Sequence, residues 1–361
     1  MQSILYDGWS LIYHPNSPTA IHLLTLLELH PAELEALVAL PADAPDGLPS
    51  HATTRVVPAA NTPGGRLGWE QRILPHLVQE TKAKALHLTS PTPPLAGVKR
   101  CLISPAGFDP PFLLKREGQQ YGIASRLRES LAAGGLERTQ GILWPADLPM
   151  PSEAKTPPLK LPPVVHPAFS SNLIVSGQET YGLELPDSYV LYHGPTGEGE
   201  LRFLLEAWSW PAGSHGATTP LVMAGVEHSD RLLLDSLLAE YELAGTVRLL
   251  PRLSMRQLLW VYQHCAALFH PAQIAAWGDP VRHALACTRP IVAIETPASN
   301  ALVGPAAYLV PPQARSLGAA LISVLVEESL AERLVQAASK RAAAWDKTAF
   351  TQALARIYLT A

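Results

Sequence analysis

Between His264 and Pro290 the chain reads HCAALFHPAQIAAWGDPVRHALACTRP, and its residue types suit the holding of an anion. Ala266 to Phe269 make a short apolar run that Pro271 stops. Asp279-Pro280 then opens a helix, since Asp is a good N-cap and Pro fits the first helical turn. A strand thus leads to a helix N-terminus, where free amides and the positive dipole end favour phosphate. Asp279 opposes that use: as the cap its side chain would accept the first amides, and its charge would repel a phosphate. Gly278 keeps the preceding turn possible. Other chemistries find little footing. The 13 histidines, among them His14, His22, His166 and His270, show no metal-ligand spacing. Cys101, Cys265 and Cys287 are an odd number without metal spacing, and they read as buried free thiols. There is no Ser-His-Asp order, phosphate-binding P-loop or dinucleotide glycine fingerprint.

The elements that must position such a site alternate as in a parallel α/β protein. In the second half the predicted strands are 188–194, 220–225, 246–251, 266–271, 290–295 and 307–311, with helices over 201–208, 230–243, 255–264 and from 315 to the end. The first half predicts strands at 3–6, 37–40, 55–58, 100–104 and in GILWPAD, and helices after Ser17, from Arg66 and over 120–133. At 361 residues two domains are expected. From Pro145 to Pro167 eight of 23 residues are proline, a stiff interdomain linker too poor in donors for a central strand. The division is 1–148, a linker over 149–170, 171–345, and a C-terminal helix over 346–361 that can cross back to the first domain. A formal charge of -4 gives no basic field for nucleic acid. No segment reads as a membrane span or secretory leader, which with the free thiols predicts a cytoplasmic protein.

Two stretches resemble the family 4 retaining glycosyltransferases (glycosyl transferase group 1). In the donor segment, Pro271, Trp277, Gly278, Pro280, Ala284, Ala286 and Pro290 fall on the pattern in which a strand ending in Pro-Ser is followed by Glu-Gly-Phe-Gly-x-Pro-x-x-Glu-Ala-Met-Ala-x-Gly-x-Pro. Far upstream, Arg66, Leu67, Trp69, Glu70, Gln71, Leu74, Pro75, His87 and Pro91 match a second element. The resemblance implies an α/β protein of two Rossmann-like domains facing across a cleft, the type B glycosyltransferase fold. It also implies a nucleotide-sugar donor, a glycan or lipid-linked acceptor, and no metal. Gly194, Trp277, Gly278, Asp279 and His283 become candidate donor contacts. Ala275 and His283 replace the two family carboxylates, and Pro195 and Gly199 stand where an Arg and a Lys would neutralise the diphosphate, with Glu198 and Glu200 beside them. The glycine turn expected near PNSPTA and the histidine of a His-Asp pair are also missing, although Asp109 falls near the latter. No catalytic residue is assigned.

Several residues keep a plainer reading. Trp69 and Glu70 alone would be a helix start with a surface carboxylate, Trp277 packing, His283 a lining histidine, and 194–200 a mobile loop. The favoured function is a pseudo-glycosyltransferase, a partner or regulator beside an active relative. The alternative is an active transferase with a remodelled donor site, in polysaccharide or glycolipid synthesis. Arg126, Arg128 or Arg202 pointing inward would favour the alternative. A binding protein for an anionic sugar ranks last for want of cations.

Overall fold

The computed structural model describes residues 2–107, 123–150, 158–169 and 183–360. Asp109, the start of the helix predicted over 120–133 and residues 151–157 of the Pro-rich stretch lie outside the described residues. By contacts the chain forms two compact units: Met1–His166 with Ala275–Gly278 and Asp346–Ala361, and Pro167–Ile274 with Asp279–Trp345. The segment Ala275–Gly278, which sequence order assigns to the second domain, therefore groups with the first unit.

The first unit is built on a seven-stranded parallel sheet. Its strands are β1 (Ser3–Asp7), β2 (Glu35–Leu40), β3 (Ala52–Val56), β4 (Ala85–Leu88), β5 (Cys101–Ile103), β6 (Gly141–Pro145) and β7 (Pro158–Leu161), in the order β3-β2-β1-β4-β5-β6-β7. The inner strands are short apolar runs buried along their length, as strands covered on both faces must be. The edges differ. β3 (ATTRV) is largely exposed or half-buried, and it sits three residues before its predicted position. β7 (PLKL) lies in the Pro-rich stretch read as pure linker; a strand is possible there because an edge position tolerates the missing proline donor.

The second unit holds β8 (Val190–Tyr192), β9 (Leu221–Met223), β10 (Val247–Leu249), β11 (Ala267–His270), β12 (Ile291–Ile294) and β13 (Tyr308–Val310). Their order is β10-β9-β8-β11-β12-β13, again parallel. Both sheets therefore reverse strand order once, between β1 and β4 and between β8 and β11. Ligand crevices in open α/β sheets lie beyond the carboxyl ends of the strands at such points. Trp208, Leu204, Leu317 and Leu321 anchor the second core.

Two local features shape the first unit. Asp7, one residue beyond the predicted strand 3–6, completes β1, and Gly8 caps a short helix, Trp9–Tyr13. The helix Pro63–Gly68 continues through one π-helical turn, Trp69–Ile73, into Leu74–Thr81. Both Trp69 and Glu70 face inward there, so Glu70 is no surface carboxylate. The C-terminal helix Lys347–Thr360 buries Phe350, Leu354 and Tyr358. Tyr358 Oη bonds Tyr6 Oη at 2.7 Å and His87 Nδ1 at 2.6 Å. His30 Nδ1 reaches Tyr6 Oη at 2.9 Å, and Ser104 Oγ joins His87 to His22.

Candidate functional site

The donor segment begins where β11 ends, and Gly278 sets its path. With φ at +66°, it adopts a left-handed conformation that favours glycine, and a Cβ would come within 2.2 Å of the Pro18 carbonyl oxygen. Its lack of a side chain serves chain packing. Trp277 is fully buried. Its Nε1 donates to the Leu143 carbonyl at 2.9 Å, and its ring stacks on His22 at 4.9 Å and meets Phe350 edge-on. Neither ring face is open to a stacked ligand. Ala275 is buried as well.

Asp279 is completely buried and caps the helix Pro280–Ala286. Val281 N donates to Asp279 Oδ1 at 2.7 Å, while Arg282 N and His283 N both donate to the Asp279 carbonyl. Pro280 has no N–H. Every first-turn amide that would meet a pyrophosphate is thereby engaged by one residue. His283, also buried, stacks on Phe169 with ring centroids 4.2 Å apart and meets Tyr262 edge-on.

The loop after β8 is arranged similarly. A Cβ on Gly194 would lie 2.7 to 2.8 Å from the Tyr192 ring, whose hydroxyl donates to the Pro195 carbonyl. The space kept open for a ligand's approach is thus filled by Tyr192. Gly199 lies in the first turn of the helix Glu198–His215, beside Glu198 and Glu200, with open space where a Cβ would stand. Arg202 does not reach back to this loop; it pairs with Glu198 at 3.1 Å and Glu240 at 2.8 Å. Arg126 is exposed.

A second polar arrangement, unmarked in the sequence reading, lies in the first unit. A pocket of about 480 Å³ includes Asp7, Ser10, Arg66, Ser90, Gly107 and Arg128 in its walls, placing it beyond the ends of β1 and β4, where that sheet reverses order. Arg66 donates to Asp7 Oδ2 at 2.8 Å and Glu70 Oε1 at 2.7 Å, and Arg128 donates to both oxygens of Glu70. Thr92 adds a bond to Glu70, and the Trp69 indole and Trp9 amide add two to Asp7. Burial alone would raise the Glu70 carboxyl, but Arg66 and Arg128 hold it below its ordinary value. Arg66 Nη1 and Ser10 Oγ are buried with no partner, and an unmade bond of that kind costs about 1–3 kcal/mol. The Arg-x-x-x-Glu spacing at 66 and 70 was the available signal; the meeting with Asp7 and Arg128 is long-range.

A fold of two parallel α/β sheets, each with one reversal of strand order, is the type B glycosyltransferase fold, and solved structures of that class superpose on the chain. WaaG, a glycosyltransferase involved in lipopolysaccharide biosynthesis, matches with TM-score 0.74 and 16% identity over 100% of both chains. Sucrose-phosphate synthase from Thermosynechococcus elongatus matches with TM-score 0.68 and 15% identity, over 100% of this chain and 99% of its own. HepE of Anabaena, in complex with UDP and glucose, matches with TM-score 0.66 and 15% identity over 100% of both. Curated protein sequences give no significant match. Residues 202–341 match the family model for glycosyl transferases group 1. No helix among the described residues is long and apolar enough to cross a membrane.

Proposed function

We propose that this chain keeps the body of a group 1 glycosyl transferase but does not take a nucleotide sugar in the family's manner, and serves as a partner or regulator of an active transferase. One observation carries the reading: the first-turn amides of the helix Pro280–Ala286 are all engaged by Asp279. The other candidate contacts support the same view. Trp277 and His283 are stacked inside the protein, Tyr192 fills the face of Gly194, and Arg202 is paired with two glutamates. A charge-assisted bond to phosphate contributes about 1.5–3 kcal/mol, so a diphosphate deprived of several has little to hold it. A cytoplasmic setting belongs to this reading, supported by three free, buried cysteines.

Calorimetric titration of the folded protein with uridine, guanosine, adenosine and thymidine diphosphates and their sugar conjugates tests it. No saturable micromolar binding is expected. Binding of one member would sink the reading and name a donor. A second reading, an active transferase with a rebuilt donor site, is favoured by Arg128, which lines the first-unit pocket and is partly exposed there.

A further inference from the structure

The second unit carries a groove of about 410 Å³ between the helix Glu328–Ala342 and the turn Gly304–Ala306. Arg333, Gln336, Lys340 and Arg341 line it from the helix, at the three- and four-residue spacing that gathers side chains on one face. Val303, Pro305 and Ala337 supply apolar lining. Arg333, Gln336 and Lys340 are exposed, and among the described residues their side chains make no hydrogen bond or ion pair. Arg341 differs. Its Nε donates to the Leu302 carbonyl at 2.8 Å and its Nη2 to the Ala301 carbonyl, so the last turn of the helix Pro297–Val303 fixes the guanidinium in place. Three cations thus share a groove that has no carboxylate in its lining, on a chain whose formal charge is -4. A plain solvated helix face offsets such charges with acids four residues away. Here the residues four before and four after Arg333 are Ser329 and Ala337, and those around Lys340 are Gln336 and Ala344.

We infer that this groove docks an extended segment of a protein partner in which two acidic residues flank an apolar one, at positions i, i+2 and i+4. The spacing follows from the helix. Arg333 and Arg341 are eight residues apart, or ~12 Å along the axis. Positions i and i+4 of an extended strand lie on one side ~13 Å apart, with i+2 between them to meet Val303, Pro305 and Ala337. The helix itself favours a peptide over a membrane. Glu327, Glu328 and Glu332 are exposed around its start, where they would repel an anionic bilayer, while a five-residue segment spans only the basic part. The partner rests on the regulatory reading above; the charge and spacing of the segment rest on the groove alone.

The test is fluorescence anisotropy of the full chain at low salt with a labelled peptide, acetyl-Glu-Ser-Leu-Ser-Glu, beside its Gln-Ser-Leu-Ser-Gln and Glu-Ser-Ser-Ser-Glu versions. Saturable binding of the first is expected, weakened about fivefold or more by either change in the peptide. Arg333→Gln with Lys340→Gln removes two side chains that bond nothing in the fold. The double variant's melting curve should stay close to the parent's while its affinity for the acidic peptide falls about fivefold or more. No saturable binding of the acidic peptide, equal binding of its glutamine version, or unchanged affinity in the double variant overturns the inference. Phosphatidylglycerol vesicles that capture the parent but not the double variant, with the peptide silent, overturn it in favour of a lipid surface. A nucleoside diphosphate that binds while the peptide keeps its charge-dependent site upholds the groove and overturns only the regulatory reading. Nucleotides and acidic peptide both silent overturn only the groove.

Discussion

At the scale of single residues, Asp279 and Glu70 show how a carboxylate's neighbours decide its use. Asp279 holds the amides of its own helix, so Asp279→Ala is expected to cost about 0.5–2 kcal/mol in urea unfolding while freeing the Val281 N–H. If that occupancy keeps diphosphates out, the variant gains weak, measurable affinity for a nucleoside diphosphate that the parent lacks. Glu70 binds two arginines from inside the first unit. Glu70→Ala leaves those cations short of a counter-charge and should destabilise by about 3–5 kcal/mol, read from the denaturation midpoint. Gly278→Ala combines a left-handed φ with a clash against Pro18. It should cost of order 1–3 kcal/mol or more by the same measurement.

Among elements, the C-terminal helix Lys347–Thr360 is tied to β1 and β4 by hydrogen bonds among Tyr6, His87 and Tyr358 as well as by apolar burial. Burial lowers His87 to about 3, helped by His30, and lowers His30 to about 4, helped by His51. Both histidines are therefore neutral when folded but charge below their ordinary value once unfolded. Between that value, near 6.5, and the folded ones, the unfolded chain binds more protons, so stability is full above about pH 6.5 and falls as pH drops. The slope is at most about 1.4 kcal/mol per pH unit for each histidine. Urea unfolding at pH 7, 5.5 and 4.5 should show the decline. Tyr358→Phe leaves partners of its hydroxyl unmet, with an expected loss of about 1–3 kcal/mol at neutral pH.

The whole molecule comprises two compact units with separate cores. Leu321→Ala, in the second core, is expected to cost about 2–5 kcal/mol. Combined with Tyr358→Phe in the first unit, the two losses should add to within about 0.5 kcal/mol, since the residues share no partners. Strong non-additivity in the double variant's unfolding curve would show that the cores are energetically one.

Local pattern was enough to mark most of the strands, the capped helices at Ser17 and Asp279 and the α/β class, because periodicity, proline placement and capping chemistry act over a few residues. Tertiary structure alone decided the rest. A strand inside the Pro-rich stretch depends on its place at a sheet edge, and the grouping of Ala275–Gly278 with the first unit depends on where Trp277 finds its partners. The charge cluster of Asp7, Arg66, Glu70 and Arg128 draws on a strand end, a helix and its π turn, and a later helix. Spacing within any one of these says nothing of the others, since charge pairing acts through space and only the folded sheet fixes which distant charges meet.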